Sequence, residues 1–357
     1  MRKIFYAFCT FFALSHTVSA QIGGQRSFGF LNLPVGAKTA GLGGINVSSR
    51  SHDVNMLYSN PALLNPESDY QLSFTHTGFL SDIKQNGLTF SLPNKKGAHW
   101  AAGIQYVNYG DFVQRDATGQ EQGTFSVADY TVNLTHAQSI DHFTLGATAK
   151  LGVSRIAEYK AVGALVDVGG IFQHPEQDFT VGLALKNIGY QLKTYNGNRE
   201  PMPFDAQVGM SYKLAHMPLK FSLTAHHLHK FDIVYLDTTA TGKLDEFNKE
   251  IKPKKTFGDK LARHFVVGGE FILSKNFNLR FGYNHLQRRE LRTETKAGGA
   301  GMSFGAMIRI KKFELDYTRA YYHVSGASNY FTVSTTLEGL LKKKNKSSER
   351  PAPDFNK

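Results

Sequence analysis

The sequence predicts an all-β protein, a transmembrane antiparallel β-barrel of about 14 strands. Three observations predict it. An export signal opens the chain. Segments of roughly ten residues then alternate in polarity with period two, and short and long connections take turns between them.

The export signal comes first. Arg2 and Lys3 precede an apolar run from Ile4 to Leu14, and Val18-Ser19-Ala20 is a small-residue cleavage site. Residues 1–20 therefore read as a signal peptide, with the mature chain starting at Gln21. The run is too short to span a bilayer as a helix, and nowhere else do about eighteen apolar residues follow one another. Cys9 is the one cysteine and lies inside the signal, so the mature chain can form no disulfide, thiolate metal site or thiol nucleophile. The net charge of +12 points, in an exported protein, to lipid phosphates and lipopolysaccharide rather than nucleic acid.

Strands follow from Tyr70 onward. Successive side chains of a strand point to opposite faces, so alternation marks a two-faced strand. In Phe143 to Val153 one face is wholly apolar and the other carries Thr144, Gly146, Thr148, Lys150 and Gly152. The same reading fits Leu72–Gly78, Gly87–Leu92, Trp100–Tyr109, Val127–Leu134, Ala161–Phe172, Phe179–Lys186 and Phe204–Leu214. It fits again in Leu219–His227, Phe265–Leu273, Phe277–His285, Ala300–Ile310, Phe313–Tyr317 and Tyr330–Leu337. Lys150, Asp167, Lys186, Glu270, Arg280, Arg309, Glu314 and Asp316 all fall on the polar face, opposite Leu, Val, Phe, Ile and Met. An apolar outside around a charged inside is the inverse of a soluble barrel. His76 and His136 are exceptions on the apolar side.

The connections agree. Residues 93–99, 139–142, 174–178, 215–218, 274–276 and 311–312 are short turns. Between them lie the longer Gly110–Thr124, Ile188–Pro203, His229–Arg263 and Gln287–Gly299, with moderate Phe79–Asn86 and Ser154–Lys160. Outer-membrane barrels have short periplasmic turns and longer surface loops, and an even strand number returns both termini to the periplasm. Trp100, Tyr109, Tyr190, Phe231 and Tyr321-Tyr322, near strand ends, are candidate interface girdles. The segment 21–69 lies outside the barrel (70–337), and 338–357 is a polar tail with Lys342-Lys343-Lys344 that reads as disordered.

Enzymatic motifs carry little. Ser81-Asp82-Ile83-Lys84 matches S-x-x-K without its companion motifs, and Gly301-Met302-Ser303-Phe304-Gly305 matches a nucleophile elbow but lies within an alternating run. No enzyme and no cofactor is expected. His226-His227-Leu228-His229 is the densest histidine group. His227 and His229 share a face, but no carboxylate is evidently poised with them, so the reading is amphipathic side chains at a strand end, with no metal. The longest loop carries Phe231, Tyr235, Phe247 and Phe257, aromatics suited to anchoring a partner.

One stretch has a specific order and spacing. Gly23-Gly24 is followed by Phe28-Gly29-Phe30-Leu31-Asn32-Leu33-Pro34, then Ala40-Gly41-Leu42-Gly43-Gly44, Asp53 and Asn60-Pro61-Ala62-Leu63-Leu64. It resembles the PorQ family of type IX secretion barrels, which is similar in fold to PorV and the FadL-like transporters. Thr39-Ala40 stands where that family tends to have an alanine pair. The resemblance implies an N-terminal luminal hatch, to which the glycines of this stretch suit the tight turns of a confined lumen. It also implies a non-enzymatic role in an attachment complex. There the barrel would hold a PorZ-like surface protein near a sortase and a PorV-like barrel that link cargo to lipopolysaccharide. The Asn60-Pro61-Ala62 element also occurs across FadL-like proteins. The alternative is therefore a transporter of small hydrophobic molecules, which predicts an apolar pocket beneath the surface loops and a lateral or hatch-side exit.

Overall fold

The computed structural model of the chain describes residues 27–93, 97–234, 243–244, 250–251, 256–291, 298–323 and 326–339. The expected signal peptide, Gly23-Gly24 and nearly all of the polar tail lie outside these residues.

Fourteen antiparallel strands close into a barrel. They are β1 (Gln71–Gly78), β2 (Lys84–Pro93), β3 (Ala98–Arg115), β4 (Glu121–Ile140), β5 (Phe143–Ile156), β6 (Tyr159–Gln173) and β7 (Phe179–Lys193), then β8 (Asp205–Lys213) and β9 (Leu219–Ala225). A two-residue ladder in the longest loop, β10 (Lys243–Leu244) with β11 (Glu250–Ile251), stands apart. The wall resumes with β12 (Phe265–Ser274), β13 (Phe277–Asn284), β14 (Met302–Ile310), β15 (Phe313–His323) and β16 (Gly326–Thr336). β16 pairs with β1 from Gln71↔Thr336 to Gly78↔Asn329, which closes the ring and leaves no open edge. Each of the fourteen alternating segments becomes one wall strand.

The faces are inverted, as the alternation requires. Along β5 the exposed residues are Phe143, Leu145, Ala147, Ala149 and Leu151, while Thr144, Thr148 and Lys150 are buried inside. His76 and His136 do face outward. His76 meets Asn86 at 2.8 Å, and the His136 ring lies 4.4 Å from that of Trp100. Among the described residues no helix is long and apolar enough to cross a membrane.

Several expectations are corrected, Ile188–Pro203 among them, since Ile188 to Lys193 continue β7 against β6. Gly110–Thr124 is not an open loop, because β3 and β4 stay paired from Asp111↔Ser126 to Arg115↔Glu121. Cross-strand stacking of Phe112 on Phe125 (5.6 Å) helps hold that protruding hairpin. Ser154–Lys160 is likewise ladder, turning only at Ala157-Glu158 with Ala157 at φ 52°. Tyr109 and Tyr322 are not girdle residues. Each has the parity of the luminal face on its strand, and each turns inward, Tyr109 onto Asp129 and Tyr322 onto Tyr330.

Residues 27–70 precede β1 and fill the lumen. Three short 3-10 turns, Val54–Tyr58, Pro61–Leu63 and Pro66–Ser68, are capped by Asp53, Asn60 and Asn65, whose side chains accept backbone N–H groups. A five-residue helix α1 (Ala37–Gly41) is completed by the wall. Thr332 accepts the N–H of Ala37, an otherwise unpaired helix-start donor, and Thr318 donates to the Ala37 carbonyl.

Candidate functional site

The residues singled out in the N-terminal stretch come together as a plug. Phe30 and Leu31 sit in a 3-10 turn, Gly29–Asn32, and bury against Val107, Ala161, Leu165 and Met202. Leu33 packs on the same cluster and Pro34 follows it. Gly43 (φ 93°) and Gly44 (φ 86°) end α1, and that backbone is favourable only for glycine. Asn60 is the hub. Its carboxamide oxygen accepts the Ala62 N–H at 3.0 Å, and its nitrogen donates to Val47, Gly170 and Leu183 carbonyls at 2.9, 3.3 and 3.2 Å.

The wall makes room for this backbone with glycines. A Cβ on Gly146 would lie 2.5 Å from the Pro61 carbonyl carbon, one on Gly169 would lie 1.9 Å from the Asn60 side-chain oxygen, and one on Gly282 would lie 2.1 Å from the Gly43 nitrogen. Sequence reading placed glycines on the polar face without assigning them this contact. Their function depends on residues about a hundred or more positions away, which no local pattern records.

Charge holds the plug at the opposite wall. Lys38 of α1 meets Glu270 at 3.3 Å, Glu270 takes a second bond from Arg280 at 2.7 Å, and Arg280 reaches on to Asp316. Nearer the short turns His52 meets Glu314 at 2.7 Å, and Arg309 meets the same carboxylate at 2.8 Å. Luminal cations reach the N-terminal segment too, Arg309 at the His52 ring (2.8 Å) and Lys220 at the Arg50 carbonyl (3.2 Å), so luminal charges of both signs pair with its polar groups. Such buried pairs owe much of their worth to what losing one partner would cost.

Among the described residues several cavities border the plug, and two of them lie toward its loop end. The outer one, about 680 Å³, opens at the loop end of the barrel. Phe28, Phe30, Leu33, Phe79, Ile83 and Tyr195 give it an apolar lining, and Ser27 donates to Glu200 at its rim. The inner one, about 150 Å³, has a mixed lining in which Lys150, Lys186, Asp205 and Gln207 stand beside Leu31, Pro34 and Ile45. Leu33 lines both. Beside the inner cavity the β6–β7 ladder is interrupted between Val166 and Val168, where the Asp167 carboxylate takes the Asn187 N–H at 2.7 Å. β7 also parts from β8 beyond Lys186.

The histidines are arranged otherwise than expected. His229 turns to Phe204, with ring centroids 5.1 Å apart. His227 faces His226 instead, and a carboxylate is present after all: Asp205, whose oxygen accepts the His227 N–H at 2.7 Å. Asp205 opens β8, some twenty residues before the histidines, so the sequence spacing conceals it. Burial pushes the His226 imidazole down to about 3, with His227 and His264 adding to the effect and Asp205 opposing it.

The serine matches fall where no nucleophile is set up. Ser303 faces inward and donates to the Gly41 carbonyl at 3.2 Å, and Ser81 sits exposed in the β1–β2 connection. Of the loop aromatics, Phe231 and Phe257 are exposed, 51% and 69%, with rings 5.7 Å apart. Tyr235 and Phe247 lie outside the described residues.

No family model and no curated protein matches the sequence. Solved structures do match in fold. The toluene transporter TbuX of Ralstonia pickettii aligns over 86% of this chain and 99% of its own, with TM-score 0.52 and 12% identity. The toluene transporter TodX of Pseudomonas putida covers 85% and 96% (TM-score 0.45, 12% identity), and a Pseudomonas aeruginosa FadL homologue covers 85% and 98% (TM-score 0.46, 10% identity).

Proposed function

From a fourteen-stranded outer-membrane barrel of FadL-like fold, we propose that this chain captures small hydrophobic molecules in its outer cavity and passes them inward past the N-terminal plug. The observation that carries this reading is the apolar cup at the loop end, the feature expected of a transporter and without purpose in a plain anchor. An aromatic ring gives up on the order of 150–250 Å² on burial, worth about 4–6 kcal/mol before the entropy of association. Affinity is therefore weak, at best about millimolar to tens of micromolar, as suits a solute that must leave again. Onward movement meets the charged inner cavity, so the exit requires the plug to shift or the solute to pass sideways where β7 parts from β8.

The test is a titration of the purified barrel with N-phenyl-1-naphthylamine, displaced by a monoaromatic hydrocarbon. Saturable binding is expected, weakened at least tenfold by Leu33→Asp and unchanged by Leu145→Ala on the outer face. Absence of saturable binding, or binding indifferent to Leu33→Asp, refutes it.

A second reading is favoured by the exposed pair Phe231 and Phe257. Paired aromatics on a surface loop suit a protein partner, as the resemblance to attachment-complex barrels implies for a PorZ-like surface protein. Affinity purification of the barrel from gently solubilised membranes tests it. Recovery of a surface protein and a sortase, lost in Phe231→Ser/Phe257→Ser, supports this reading; recovery of the barrel alone counts against it.

A further inference from the structure

We propose that Asp205, His226 and His227 form a site for a first-row divalent cation of the zinc or copper(II) type, at the junction of β8, β9 and the longest loop. One donor atom from each side chain lies within 4.8 Å of the others. The two Nδ1 atoms are 2.5 Å apart, and His227 Nδ1 is 3.8 Å from the Asp205 carboxylate. Two imidazole nitrogens at that separation sit closer than the roughly 2.9 Å of an ordinary N–H hydrogen bond. One positive charge between them resolves the contact. Zinc–nitrogen bonds of about 2.0–2.1 Å in a tetrahedral arrangement hold such a pair about 3.3 Å apart, a separation that small ring rotations provide.

The surroundings are built rather than accidental. His226 is fully buried and Asp205 nearly so. Among the described residues His226 Nε2 has no hydrogen-bond partner, so Nδ1 is the nitrogen through which this buried ring meets a polar group. The backbone is pinned on both sides, since His226 N–H donates to the His264 carbonyl at 2.9 Å and Leu228 N–H to the Ala206 carbonyl at 3.1 Å. His227 adopts φ 55°, a left-handed conformation that a bulky residue rarely takes. Asp205 is oriented by the His227 N–H and by Gln207 Nε2 at 2.6 Å.

Two imidazoles and one carboxylate select borderline metals over calcium or magnesium, which require oxygen-rich shells. The fourth position faces the inner cavity, which Asp205, His226 and His227 all line, and takes water. Lys150 and Lys186 line the same cavity. Lys150 is committed to Asp167 at 2.5 Å, whereas Lys186 competes for Asp205, so the affinity is moderate rather than that of a structural zinc centre. A bound cation would tie the end of β8 to the root of the loop above the cavity. This stands apart from the hydrophobic-ligand reading and does not require it.

The experiment uses the full, untagged chain, purified and stripped with chelator, titrated with Cu²⁺ followed by electron paramagnetic resonance and with Zn²⁺ followed by calorimetry. One site per chain is expected, with nitrogen hyperfine structure from two imidazoles. His227→Gln and Asp205→Asn should each weaken it at least tenfold, and His216→Gln should leave it unchanged. The wild-type copper spectrum decides independently of whether a variant folds. Coordination by one nitrogen or none overturns the proposal, as does binding that survives both substitutions in a folded barrel.

Discussion

Gly169 shows how one hydrogen atom sets the position of the plug. Its would-be Cβ overlaps the Asn60 side chain, so Gly169→Val must push the Asn60-Pro61-Ala62 turn off β6. Overpacking of this kind costs about 1–3 kcal/mol. The expected outcome is a lower unfolding midpoint in detergent and faster proteolysis within residues 27–70, while Gly78→Val, in open space at the end of β1, perturbs the plug far less. His226 gives a pH-dependent counterpart. The depressed group stays neutral in the fold, whereas the unfolded chain takes up its proton near 6.5. Its contribution is intact above that pH and is lost as the pH falls toward about 3. Asp205, His227 and His264 face the ring and set the balance. In chelated buffer, His226→Phe should flatten the pH dependence of the midpoint between those limits; an unchanged slope contradicts the assignment. At this scale the sequence was least informative. It displayed the motif residues and the histidines, but the glycine contacts and Asp205 belong to partners that only the closed barrel brings near.

At the level of elements the reading was fuller, because period-two alternation over about ten residues leaves little freedom. Lys150, Glu270 and Arg280 took the luminal face that their parity assigned. The same parity would have turned Tyr109 and Tyr322 inward had it been preferred to their nearness to strand ends. Hairpins that continue past the apolar band, such as β3–β4, were read as loops because polar residues there interrupt the apolar face. The plug's regular structure is too short to show a period, α1 having only five residues. Its attachment relies on Lys38. Lys38→Met leaves Glu270 with Arg280 alone, a loss of about 3 kcal/mol, the lower end for breaking a buried pair since one partner remains. Limited proteolysis of the plug in the intact barrel should accelerate while the wall strands keep their circular dichroism. Unchanged proteolysis contradicts a latch at Lys38.

For the whole molecule the decisive property is a surface turned inside out. Val168 faces outward on β6 beside the buried Asp167. If that outside is lipid, Val168→Arg costs about 2–4 kcal/mol near the bilayer centre, measurable as a lowered folding yield and midpoint in phospholipid vesicles. A neutral result contradicts membrane burial of that face. The proposed function rests on the apolar cup above the plugged lumen, which can be examined directly. The measurement is a crystal structure of the barrel soaked with bromobenzene, reading the bromine anomalous signal. The account expects a peak in the outer cavity between Phe28, Leu33 and Phe79, with the plug in place beneath it. Bromine found only on the lipid-facing surface, with the cup empty, would contradict it.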